Sequence, residues 1–174
     1  TAETDAAGNY AIRLVAADAA VIAPGDILTL YLDGETEKAV TVTITNGTKM
    51  TGIDLYRDRL IARHEAAAPV TTATLDTADN NADADITGFY SISAGDLTVA
   101  SGKTLWTWAG DTLDLAGENL TLTGATFENR GTLRAQGGET LTGFTNDTDS
   151  GAIEYSGSGT YTALIAGNTY WSLS

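Results

Sequence analysis

The stretch "DTADNNADADITGFY" sets Asp79, Asn81, Asp83 and Asp85 at alternate positions, with Ile86 following. A hard cation such as calcium takes roughly six to eight oxygen ligands, and closely spaced carboxylates in a turn supply them. The run matches the first half of a calcium loop and departs from the second. Ala84 stands where such a loop needs glycine, and Tyr90 where it needs glutamate. In an extended strand these side chains share one face but lie too far apart for one ion, so a metal site requires a tight turn here. Calcium is the candidate ion, a solvated acidic connection is the competing reading, and no other cofactor is expected.

The single histidine, His64, sits in "RDRLIARHE" with Arg57, Arg59, Arg63 and Glu65. There is no cysteine for it to pair with, so the setting reads as a salt-bridged strand surface. The three arginines are half of those in a chain of net charge −14. They form a dock for the acidic surface of a neighbouring copy, since charge complementarity sets register and partner choice. Trp106 and Trp108 are two apart in "TLWTWAG" and share a face. Such a pair packs in a core, fills an interface or stacks on a sugar. Asp111, Asp114, Glu118, Glu128 and Glu139 fall at turns with irregular spacing. That argues against the clustered acids of a polysaccharide-cleaving site, and no enzymatic activity is expected.

The background charge narrows the partners. A surface this acidic repels nucleic-acid phosphates and anionic membranes. No apolar run reaches the ~18 residues of a membrane span, so membrane insertion is not expected. Without cysteine there is neither a disulfide framework nor a thiolate metal site. Thr is abundant and Lys plus Arg total 9, a strand-forming composition that predicts an all-β chain.

Two grammars position these residues. Over 1–66 the sequence alternates in long strands: "NYAIRLV" with Tyr10 and Ile12 on one face, "DILTLYL", "AVTVTIT" and "LIARHE". Asp33-Gly34 and Asn46-Gly47 mark turns. Four such strands predict an immunoglobulin-like β-sandwich, followed by a small-residue linker at 67–72. From 73 to 174 the punctuation is glycine. Gly110, Gly117, Gly124, Gly131 and Gly138 are seven apart; Gly88, Gly95 and Gly102 are also seven apart, and one eight-residue step joins the two runs. Between them sit apolar pairs two apart, such as Leu113 with Leu115 and Leu120 with Leu122. A chain that turns every seven residues while burying one face winds as a β-solenoid, with a second sandwich as the alternative. Three units per rung stack Val99, Leu120 and Leu141; two stack Val99, Leu113, Phe127 and Leu141; the pattern leaves both open.

"TDAAGNYAIRL" resembles the Thr-Asp-x-x-Gly-Asn-Tyr strand of carboxypeptidase-regulatory-like and collagen-adhesin B-type immunoglobulin-like repeats. "GDLTVASGKTL", "ATFENRGTLRAQGG" and "GNTYWSLS" are similar to the short repeats of filamentous-haemagglutinin-like and other bacterial β-strand-repeat surface proteins. The resemblance implies an extracellular, cell-surface chain that serves as fibre, coat or adhesin. The expected role is a structural subunit that assembles head-to-tail as a homopolymer, one copy's strand completing the next copy's sheet. Tyr10 and Ile12 at one end, Tyr170, Trp171 and Leu173 at the other, and the three arginines are the expected subunit contacts. The alternative is a monomeric adhesin or carbohydrate-binding module that uses Trp106 and Trp108 on a surface glycan.

Overall fold

The structure, a computed structural model, describes residues 3–12, 22–79, 83–160 and 163–174. It is mostly strand. β1 (Ile27–Tyr31) pairs antiparallel with β2 (Val40–Ile44), which pairs parallel with β3 (Arg59–His64). β4 (Val70–Thr71), α1 (Thr72–Asp79), α2 (Ala84–Thr87) and β5 (Tyr90–Ser93) follow. β5 turns through Ala94 and Gly95, both at positive φ, into its antiparallel partner β6 (Asp96–Val99). That backbone matches the twist of the two strands it joins.

Seven short strands complete the chain: β7 (Thr104–Thr107), β8 (Thr112–Asp114), β9 (Leu120–Thr121), β10 (Thr126–Asn129), β11 (Thr132–Ala135), β12 (Leu141–Thr142) and β13 (Ala152–Tyr155). β7 to β12 are dealt in turn to three sheets, and β13 joins the second of them. Sheet A runs β1-β2-β3-β7-β10, sheet B runs β13-β11-β8-β4, and sheet C runs β12-β9-β6-β5. Pairing among these seven strands is parallel and in register. Leu113 lies beside Leu133 and Leu133 beside Ile153, twenty residues on each time. Leu97, Leu120 and Leu141 form the matching column in sheet C. Leu120 and Leu141 share a column, with Leu97 rather than Val99 as its third member.

These columns make the core. Val70, Leu97, Leu105, Leu113, Leu120 and Leu133 are each fully buried. Two-residue periodicity sends one side of every strand inward, and glycine makes the corners. Gly117 turns at φ 94°, a conformation costly for a residue with a Cβ. Gly131 is needed for space instead: a Cβ there would stand 2.2 Å from the Asp111 carbonyl and 2.3 Å from that of Trp108.

The first half departs from the expected arrangement. The strands described over 1–66 do not face one another across a sandwich; β1, β2 and β3 are neighbours in sheet A, which continues into β7 and β10. Residues 9–12 of the first expected strand lie outside any strand, and 13–15 lie outside the described residues. The expected linker is structural too. Val70 is buried and pairs with Leu113, and Thr71 caps α1. The Thr71 hydroxyl accepts the Thr74 amide at 3.1 Å, while the Thr71 amide donates to the Thr74 hydroxyl at 3.2 Å, a reciprocal cap that starts the helix.

"AVTVTIT" reads as half-buried, yet every residue of β2 is buried. Val40, Val42 and Ile44 face the core, and Thr41, Thr43 and Thr45 face away from it. A parallel β2–β3 pair needs a crossover, and residues 45–58 make it across the outer face. The Thr41 hydroxyl donates to the Asp54 carbonyl at 2.8 Å, Arg63 Nη1 donates to the Gly52 carbonyl at 2.6 Å, and the Tyr10 hydroxyl donates to the Ile53 carbonyl.

Candidate functional site

The richest cluster of side chains lies on the outer face of sheet A. Register puts Ile61, Trp106 and Glu128 in one outward column, with Arg59, Thr104 and Thr126 in the next. Trp106 stacks with Tyr56 at 5.1 Å and with Trp108 at 5.2 Å between ring centroids. The Arg59 guanidinium lies 4.6 Å from the Trp106 ring centroid, that of Arg130 lies 4.9 Å from it, and that of Arg63 lies 5.4 Å from the Trp108 centroid. Each guanidinium is also ion-paired, Arg59 and Arg130 with Glu128 and Arg63 with Glu65. Cation–π contact and ion pairing together fix these long side chains.

The expected tryptophan pair is therefore real as a pair but is not an open platform. Trp106 is 5% exposed and Trp108 half-buried, because the crossover and the arginines cover them. The expected arginine dock is partly consumed in the same way. Arg63 is buried, Arg59 is held by Glu128, and exposed Arg57 pairs with Glu37 at 3.3 Å and with Asp58 at 3.4 Å. Arg130, which completes the cluster, was not among the expected residues. Its signal is visible only once the 22-residue register between β7 and β10 is known.

The acidic stretch builds a different object from the expected loop. Asp83 caps α2, accepting the Asp85 amide at 2.8 Å, and also accepts the Tyr31 hydroxyl at 3.0 Å. Asp85 pairs with Lys38 and accepts the Gly34 amide at 2.7 Å. Lys38 first, then that amide, hold its carboxyl below the ordinary range. Asp79 is pushed up by burial against the pull of the Ile92 amide. Asn81 lies outside the described residues. Among the described residues, no three His, Asp or Glu side chains converge as metal ligands. The physical reason is that Asp83 and Asp85 are engaged in bolting α2 to the β1–β2 hairpin.

His64 is a corner brace rather than a surface residue. Its Nε2 accepts the Thr112 amide at 3.0 Å, so Nδ1 carries the proton and donates to the Ala66 carbonyl at 2.7 Å. The Asp111 carboxylate accepts the His64 amide at 3.2 Å, and burial pushes its own titration up. Two successive corners are tied by one ring.

The expected end contacts separate. Ile12 is exposed, whereas Tyr10 is tethered to Ile53. Residues 172–174 pair with β13 of the same chain, Leu173 beside Ile153. The Tyr170 hydroxyl lies 3.3 Å from that of Tyr155, and burial pushes the Tyr170 phenol up. Trp171 at 67% and Leu173 at 46% remain exposed beside this pairing.

Comparison with protein-family models, with curated proteins and with solved structures finds no match. The functional reading rests on the residues and their geometry.

Proposed function

We propose that the chain is a three-faced β-solenoid that serves as a structural unit of an extracellular surface filament or coat, with copies joined through sheet edges as a homopolymer. The observation that carries this reading is the in-register parallel ladder repeated in all three sheets at steps of 20 to 23 residues. Such a stack is stabilised by contacts between neighbouring rungs and extends without a change of rule. The exposed Trp171 and Leu173 beside the 172–174 edge supply apolar surface where a further strand adds. The −14 charge keeps isolated copies soluble until edge pairing outweighs repulsion.

Negative-stain electron microscopy of the purified chain tests the assembly. Regular filaments that are lost in Leu173→Lys support the reading. Isolated particles across a wide concentration range overturn it.

A further inference from the structure

We propose that the groove beside β10 binds a neutral oligosaccharide. Sheet A stops at β10, whereas sheet B runs on to β13. At the position where sheet A's next strand would lie, residues 144–150 detour away and leave a groove of about 660 Å³, within the size range of small-ligand sites.

The detour is fixed in place. Phe144 packs on Phe127 at 5.2 Å, and Asp147 accepts the Asn129 amide at 2.9 Å. The Ser150 hydroxyl donates to the Asn129 carbonyl at 2.8 Å, and Asn146 Nδ2 donates to the Thr169 carbonyl at 2.7 Å. Burial alone would raise Asp147. The Asp149 and Asn129 amides outweigh it and hold the carboxyl low, so the loop's central anchor is ionised at neutral pH. The groove is therefore preformed, and a ligand does not have to order it.

Its lining suits a ligand that both donates and accepts hydrogen bonds. Arg59 and Arg130 line it, held by Glu128 and by the Trp106 ring. A guanidinium has five N–H donors, and pairing with one shared carboxylate leaves others over. The Thr104 and Thr126 hydroxyls, 2.7 Å apart, offer further donors and acceptors. The Ser150 and Thr145 hydroxyls lie in the same lining. Phe127 and Ala125 add apolar surface.

Charge selects among such ligands. The two arginines face Glu128, Asp147 and Asp149 in the same lining, inside a chain of net charge −14. No positive surplus is left to attract a phosphate or a uronate, and the described carboxylates form no ligand set for a cation. A neutral, polyhydroxylated chain matches both the mixed lining and the absence of surplus positive charge. Trp106 and Trp108 are not themselves part of the lining.

The test is an amide-resolved NMR titration of the whole chain with maltohexaose, cellohexaose and chitohexaose as neutral probes, and hexagalacturonate as the acidic one. At least one neutral probe should shift the amides of residues 126–130 and 145–150 saturably. Thr126→Val and Arg130→Gln should each weaken that binding by roughly tenfold while leaving the unperturbed amide spectrum of the fold in place. Three outcomes overturn the proposal: no neutral probe binds at millimolar concentration, the shifts fall elsewhere, or only hexagalacturonate binds.

Discussion

Sheets A and C share a fold rule and differ in what lies outside them. Both send one side of each strand to the same core. Sheet A is covered again on its outer side by the crossover, so Thr41, Thr43, Ile61 and Trp106 are all buried. Sheet C leaves its outer column of Thr98, Thr121 and Thr142 to solvent or half-buried. Its outer side is held by polar bridges instead: Asp96 accepts both the amide and the Nδ2 of Asn119. Identical strand patterning thus yields two energetic regimes, one set by packing and one by ionised hydrogen bonding.

Substitution separates the regimes. Trp106→Ala should cost about 3–5 kcal/mol in denaturant unfolding, because it empties a buried ring site. Thr98→Ala, in the exposed column, should stay within about 0.5 kcal/mol. If both cost the same, sheet A's outer face is not a second core. The glycines give the next contrast. Gly131→Ala forces a Cβ against two backbone carbonyls and should cost about 3 kcal/mol. Gly138→Ala meets nothing within 4 Å and should be neutral or stabilising by about 0.5 kcal/mol.

Within sheet A, Thr41→Val deletes the bond to Asp54 and should cost about 1 kcal/mol. Thr43 Oγ1 is buried without a partner among the described residues, so Thr43→Val should cost nothing or stabilise slightly. Urea midpoints of the two variants decide this.

The smallest effect is electrostatic. Asn119's side chain first, then its amide, hold the Asp96 carboxyl below the ordinary range. A lowered folded-state value means the contribution is full above the ordinary Asp pKa of about 3.9 and is lost as pH falls through the lower value. Amide-exchange protection around Leu97 and Leu120 should therefore drop on acidification more than protection around Leu60 and Leu105. Asp96→Asn should flatten that difference.

Much of this was legible in the sequence. The seven-residue glycine step announced corners, and the two-residue apolar spacing announced which side is inward. Strand location was also legible for "DILTLYL", "AVTVTIT" and "LIARHE", which overlap β1, β2 and β3. Their partners were not. Alternation says that a strand has two faces but not whether a distant crossover will cover the second, which is why Thr41 and Thr43 read as solvent-facing. The partners of the acidic stretch were hidden for a related reason. Carboxylate spacing is local, but Lys38 and Tyr31, which engage Asp85 and Asp83, are about fifty residues away. The groove beside β10 could not be read at all, since it is a missing strand and not a motif.

The ladder has a mechanical corollary. Hydrogen bonds between rungs run along the stack, so tension applied through the two chain ends peels one rung before it loads the next. A rung such as Leu133 to Ile153 releases about twenty residues, or ~70 Å of extended chain. Pulled from the end of β13, the molecule should yield in a short series of equal steps. The series should end at β3, where the bolted crossover holds β1, β2 and β3 together as one unit.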